Sequence, residues 1–478
     1  MKILSEKDPL EVFSEASNIL NTAVEHTLGP KGTNTAVHFQ NFYNIINDGK
    51  SIVEQLTSLD PEIAPAIETL KQASFETNRK AGDGTTSTIV IMDKLIRGAA
   101  KYLKEYPALK RVELANTILK IENKLQDLIS REKTVIDDKL YKNIAKVSLG
   151  SSEYSEMISE AFTFLDGNGM PALVKSDIPK VEVEYIEGVH LTKTSVASSM
   201  FVDLLPSKEL SNVQVITLFE PIDRFEEIFQ LVQKLNQNKE AYTILLYNEL
   251  SDSVLENLLF NLSQDRSKII PISIKNYGKN MTNMFDEISY YTGTEIIDGG
   301  ALKATDISKI TTGFANKAIV SKESLVLVND NAKDRDYKYI SKKACIIRVG
   351  GASKIDMEDT YRRLEDAIYS VAGAIEYGVF FGGYGYPYKK LIKKLELEFS
   401  SIPDSLATHG DNILAIYNDN IPDFIIQALC YINDNCFEGL KDDEAADSAL
   451  VVSEVIKNSL TMAAQTITTN AIVYDNIR

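Results

Sequence analysis

Ala81-Gly82-Asp83-Gly84-Thr85-Thr86-Ser87-Thr88 is the stretch on which the reading of this chain turns. A helical run, Ile67 to Lys80, leads into it, and an apolar helical run, Ile89 to Leu103, leads out. Two glycines let the backbone turn tightly and come close to a ligand. The Thr-Thr-Ser-Thr that follows offers amides and hydroxyls at a helix N-terminus, where anions are favoured. Asp83, between the glycines, is a hard carboxylate of the kind Mg²⁺ takes alongside phosphate oxygens. The pattern suits a magnesium-nucleotide loop. It is not the Walker pattern, because no Gly-Lys-Ser/Thr follows. An ordinary helix–helix turn with a threonine cap accounts for the same residues.

Composition narrows the classes. The chain has 478 residues, 44% hydrophobic and 25% charged, which suits a folded protein of two to four domains. A formal net charge of −17 argues against nucleic-acid binding and against an anionic membrane surface. Cys345, Cys430 and Cys436 lack metal-ligand spacing and fit a reducing compartment. His26, His38, His190 and His409 are scattered, so a zinc site or a Ser-His-Asp triad is not expected. The opening MKILSEKDPLEVF lacks the apolar core of a signal peptide, and no run has transmembrane length. The expectation is a cytoplasmic protein.

Residues 10–26 read as an amphipathic helix that stops at Thr27-Leu28-Gly29-Pro30-Lys31-Gly32. Thr35–Phe39 and Phe42–Ile46 read as a hairpin closing on Asn47-Asp48-Gly49. Asp48 stands at a strand-to-helix junction, where capping is its structural role. Residues 212–300 alternate strand and helix, an α/β pattern. A long helix spans Met357 to Tyr377, Gly378-Val379-Phe380-Phe381-Gly382-Gly383 follows, and the remainder is mostly helical.

Three of these motifs, residues 27–32, 47–49 and 82–86, occur in the order and spacing of the nucleotide-site motifs of chaperonins. The chain resembles the group I, GroEL-type family over most of its length. The resemblance implies a multidomain α/β chaperonin fold. A mostly helical equatorial domain would take residues 1–129 and 377–478. A small α/β intermediate domain would take 130–186 and 344–376, and an α/β apical domain 187–343. The family's Gly-Met-rich tail is missing, and Val328–Lys343 is shorter than the family's corresponding region. Trimmed segments and abundant Asn, Ile, Lys and Tyr suggest a specialised or virus-encoded member, which would then work in host cytoplasm.

By resemblance, Thr27, Leu28, Gly29 and Pro30 would line the nucleotide with main-chain atoms. Asp83 would hold Mg²⁺, while Gly84, Thr85, Thr86 and Ser87 would cradle the phosphates of ATP. Gly383 would let the backbone approach ribose or base. Asp48 and Asp366 match carboxylates near the γ-phosphate, with Asp366 positioning the attacking water. The helix pattern alone puts Asp366 opposite Leu364, Ile368, Val371 and Ile375, four residues after Arg362, where an exposed ion pair is the default. Two departures stand out. Asn47 replaces a family lysine and makes a K⁺ contact uncertain, although main-chain oxygens could serve. Aligning the last helix puts Val451 where an aspartate normally meets the nucleoside.

A chaperonin must present apolar side chains to water, an arrangement unusual on monomeric surfaces. The helix at 225–235 carries Phe225, Ile228, Phe229, Leu231, Val232 and Leu235 over a broad arc, and 254–262 carries a leucine-rich side. Phe229, Val232, Leu255, Leu259 and Phe260 match exposed binding positions of the family, and Val196, Met200 and Phe201 add to them. Most apolar helical residues, taken singly, are core. The resemblance further implies unfolded polypeptides as clients and a homo-oligomeric ring, sevenfold by expectation, and the lack of a lid-like insertion favours a separate GroES-type co-chaperonin, or none, over a built-in lid. The alternatives are a chaperonin-fold scaffold with weak or absent ATPase activity, and an unrelated magnesium-dependent kinase or phosphatase.

Overall fold

In the computed structural model, the described residues are 2–4, 7–29, 32–39, 42–46, 48–57, 60, 62–136, 138–149, 152–167, 169–191, 194–238, 241–274, 278–297, 310–320, 325–332, 337, 340–400, 421–436 and 445–474. The chain divides into two compact units, one of residues 1–159 with 353–478 and one of residues 160–352.

The first unit is built around the helix Thr85–Glu105, which leaves the glycine-rich loop directly. Ile89, Val90, Ile91, Met92, Leu95 and Ile96 are all fully buried. A helix apolar on most of its circumference needs cover on most sides. Helices Pro9–Val24, Asp423–Cys436 and Ala449–Thr468 supply it, and Arg111–Glu132 packs on the last of these. Asp8 caps the first helix, its carboxylate accepting from the Leu10 amide at 3.0 Å, with Pro9 at the position where a missing N–H costs least. Lys2–Leu4 pairs antiparallel with Ile472–Tyr474, tying the two ends of the chain together. The expected hairpin forms with Thr35 opposite Ile46 and Phe39 opposite Phe42. A further short ladder, Val379–Phe381 with Ala446–Ser448, joins segments far apart in sequence.

The second unit carries, among the described residues, one ten-stranded sheet. Its centre is parallel: Glu209–Leu218, Thr243–Tyr247 and Ile269–Ile274 lie side by side. Helices Phe225–Leu235 and Asp252–Ser263 form the crossovers, and Gly278–Thr292 follows the third strand. The central strands read as continuous apolar runs because helices cover them, as in Thr243–Tyr247, where every residue is buried. Val181–Leu191 and Ser341–Val349 run antiparallel, with Ala172–Lys175 parallel to the latter. Arg348 binds Glu184 and Glu209, each at 2.7 Å, linking three strands of this sheet. No helix among the described residues is long and apolar enough to cross a membrane.

Candidate active site

The glycine-rich loop is shaped by two left-handed residues, Gly82 at φ +71° and Gly84 at φ +90°. A side chain at Gly82 would stand 2.2 Å from the Tyr369 Cβ, so the loop sits directly against the helix Lys354–Tyr377. Below the loop, the Thr88 hydroxyl donates to the Gly84 carbonyl at 3.0 Å, and Asn458 donates to the Thr77 hydroxyl at 2.9 Å. Among the described residues no side chain caps the helix that begins at Thr85, whose N-cap residue is Gly84. Its first amides are therefore free for an anion.

Above this helix end lies a cavity of about 420 Å³. Thr27, Leu28, Gly29, Asp48, Asp83, Gly84, Thr85, Thr86, Ser87 and Asp366 all line it. Residues separated by more than 300 positions in the chain thus meet at one place. Pro30 and Asn47 lie outside the described residues. Gly383 does not line the cavity; its neighbours Tyr384 and Gly385 do, while Gly383 packs towards Ala445 and Val147.

Asp48 performs its capping role at the cavity wall. Its carboxylate accepts from the Lys50 amide at 3.1 Å, the Ser51 amide at 2.9 Å and the Ser51 hydroxyl at 2.5 Å. Asp83 accepts from the Gly84 amide at 2.5 Å through Oδ1, and from Ser148 and Ser370 hydroxyls, each at 2.9 Å, through Oδ2. Asp366 is not paired with Arg362 among the described residues. Burial, then the Asp83 and Asp48 carboxylates, push its pKa well above the ordinary carboxylate range. The exposed-face reading of Asp366 fails because packing turns that side of the helix towards the cavity rather than to bulk water.

Four functional candidates escaped the sequence reading. Ser148 and Ser370 grip Asp83, and Tyr384 lines the cavity with its hydroxyl donating to the Lys146 carbonyl at 3.3 Å. The fourth is Asp447. The last helix was expected to bring Val451, an apolar residue, where the nucleoside would sit. Val451 does line the cavity, but Asp447 lines it too. Burial, and then the Asp83 charge, push the Asp447 pKa up to about 7. An Asp-Ser pair just ahead of an apolar helical run was the available signal, and Ser448 is indeed the N-cap position of Ala449–Thr468.

The donor set says what the cavity can hold. Four carboxylates, Asp48, Asp83, Asp366 and Asp447, line it with one guanidinium, Arg363, which is itself paired to Asp359 at 3.1 Å. Such a wall repels a polyphosphate unless cations come with it. Among the described residues no group of three or more His, Cys, Asp or Glu could hold a metal alone. The residues fit a metal that arrives with phosphate oxygens, which is how Mg²⁺ is commonly bound.

In the second unit, Met200, Phe229 and Phe260 are exposed, at 58%, 47% and 56%. Met200, Leu204, Leu259 and Phe260 line a groove of about 510 Å³ between Ser199–Asp203 and Asp252–Ser263. Leu255 and Leu259 are half-buried against the core. Val196, Phe201 and Val232 are buried instead, which corrects their placement on an exposed face. Val232 belongs to the stripe Ile228, Leu231, Val232 and Leu235 that packs on the sheet, with Phe229 on the far edge. Phe201 follows Met200 by about 100° of helix rotation and so points inward. Val196 shares its strand's inward face with Thr194.

The fold thus combines a helical unit, with a carboxylate-lined cavity at a helix N-terminus, and an α/β unit with an apolar groove, the arrangement of a chaperonin fold. Residues 20–256 match the TCP-1/cpn60 chaperonin family. The Chaperonin GroEL of Acholeplasma laidlawii (strain PG-8A) is 24% identical over 411 residues, 79% of this chain and 76% of that one. The Chaperonin GroEL of Onion yellows phytoplasma (strain OY-M) is 25% identical over 417 residues, 80% and 76% of the two chains. The crystal structure of the chaperonin gp146 from the bacteriophage EL 2 (Pseudomonas aeruginosa), in the presence of ATP-BeFx, aligns over 100% of both chains with a TM-score of 0.71 at 15% identity. By these likenesses the chain is similar to the chaperonins, and its low identity to each makes it a divergent relative of the GroEL type.

Proposed function

We propose that the protein is an ATP-dependent chaperonin subunit that binds unfolded polypeptides and folds them in a ring chamber. The observation that carries this reading is the meeting of Asp48, Asp83 and Asp366 beside an uncapped helix N-terminus. Residues 1–129 with 377–478 serve as the equatorial domain, 130–186 with 344–376 as the intermediate hinge, and 187–343 as the apical domain. Asp83 holds Mg²⁺, the amides of Thr85 to Ser87 bind phosphate oxygens while Gly84, whose own amide donates to Asp83, shapes the turn that cradles them, and Thr27, Leu28 and Gly29 line the nucleotide. Bound Mg²⁺ supplies charge neutralisation for phosphates and carboxylates alike. Asp366, once ionised, orients water for attack, and Asp48 assists from its capped position. Asp447 supplies the nucleoside contact that Val451 lacks. K⁺ at residue 47 stays an expectation from family likeness.

Met200, Phe229, Leu255, Leu259 and Phe260 form the client surface, and Val196, Phe201 and Val232 support it from below. A sevenfold homo-oligomeric ring, a GroES-type co-chaperonin and a cytoplasmic setting complete the reading. The test is phosphate release by the purified protein and by Asp366→Ala. A drop of about 10²-fold or more is expected on removing a water-orienting carboxylate. Equal background rates in both would instead favour the scaffold reading.

A further inference from the structure

We infer that Ser148 and Ser370 are positioning residues that restrict Asp83 to a single metal-facing lone pair and register the Asp366 helix against it. The inference rests on the proposed metal-nucleotide role of Asp83. A carboxylate has about four lone-pair sites. Oδ2 of Asp83 accepts from Ser148 and from Ser370, each at 2.9 Å, which occupies both sites on that oxygen. Oδ1 accepts from the Gly84 amide at 2.5 Å, leaving one site. Only one-oxygen ligation is then open, the mode that suits the strict octahedron and retained waters of Mg²⁺ better than two-oxygen ligation.

The two serines come from different helices. Ser148 is on Tyr141–Leu149 and Ser370 on Lys354–Tyr377. Ser370 is fully enclosed, at 3% exposure, so its hydroxyl is not competing for bulk water. Ser370 also lies four residues after Asp366, on the same face of one helix. The hydroxyl that orients the metal-binding carboxylate is thereby one turn from the water-orienting one. Each serine has a single hydroxyl proton and directs it at Asp83, although the two oxygens stand only 3.5 Å apart. Partners of this kind, one shell out from a metal, commonly change metal affinity 10–100-fold when removed.

The experiment uses full-length protein, Mn²⁺ as the probe read by electron paramagnetic resonance, and adenosine β,γ-imidotriphosphate as a nucleotide that is not hydrolysed. Wild type, S148A, S370A, the double variant and S148T are compared. Metal-free nucleotide affinity is measured in parallel in chelator. The double variant is expected to bind Mn²⁺ about tenfold more weakly with metal-free nucleotide affinity unchanged. S148T, which keeps the hydroxyl, is expected to restore wild-type Mn²⁺ affinity to the S148A position. A loss of both affinities together would mean general loosening of the cavity and would overturn the positioning role. Equal Mn²⁺ affinity in wild type and double variant would overturn it too, leaving the proposed function standing. If wild type itself binds no Mn²⁺ with the nucleotide, the proposed function fails, and the inference with it.

Discussion

Replacing Asp447 with asparagine removes a carboxylate that the unliganded fold tolerates poorly. Burial and the Asp83 charge raise its pKa from 3.8 to about 7, against the opposing help of the Gly385 amide. The sign follows from proton linkage: the folded state holds this proton more tightly than the unfolded chain does. Below pH 4 both states carry it, and the group is neutral towards stability. Between pH 4 and 7 stability falls as pH rises, and above pH 7 the full penalty is present. A displacement of this size corresponds to a ceiling of about 4 kcal/mol. Asp447 is half-buried at the wall of an open cavity, so solvent screening lowers that figure to about 2 kcal/mol. Asparagine keeps the shape without the charge. Asp447→Asn is therefore expected to raise unliganded stability by about 2 kcal/mol at pH 8 and by only about 0.5 kcal/mol at pH 4.5. Urea unfolding followed by far-ultraviolet circular dichroism measures both, since the chain has no tryptophan. Nucleotide with Mg²⁺ should reverse the order, because the carboxylate then has a positive neighbourhood. A stability difference that does not change between pH 4.5 and pH 8 would refute the reasoning.

The raised pKa of Asp366 predicts phosphate release that increases with pH, with an acidic limb that moves to lower pH as Mg²⁺ rises, because the cation favours its ionised form; a limb insensitive to Mg²⁺ would contradict it. Gly82→Ala should cost about 2 kcal/mol or more, from left-handed strain at φ +71° and the contact with Tyr369, measured as a shift in urea midpoint. Phe229→Ser with Phe260→Ser should weaken capture of a denatured polypeptide severalfold while changing stability by less than about 0.5 kcal/mol per site, because both side chains already face water. Phe201→Ala should instead cost about 3–5 kcal/mol, as expected of a core phenylalanine, and light scattering with urea titration separates the two outcomes.

Much of the local structure was legible in the chain. The helix Phe225–Leu235, the strands Thr35–Phe39 and Phe42–Ile46, and the Asp48 cap all follow from periodicity and from end signals within a few residues. The loop Gly82-Asp83-Gly84 was legible for the same reason: its glycines and its helix start are neighbours in sequence. Which edge of a broad apolar stripe faces the sheet was not, so Val232 could not be told from Phe229. Both fall within one wide arc, and only contact with the central strands divides it.

The amino-acid order by itself determined where helices and strands begin, which loop could receive phosphate, and which carboxylates were available. Tertiary structure alone decided that Asp447 stands in the cavity, that Ser148 and Ser370 converge on Asp83, and that Asp366 faces inward. Hydrogen bonding and periodicity act over a few residues and leave their mark in order and spacing. The meeting of positions 83, 148, 370 and 447 depends on how whole helices pack, through the short ladder between Val379–Phe381 and Ala446–Ser448 and the cover around Thr85–Glu105, and no local stretch carries that information.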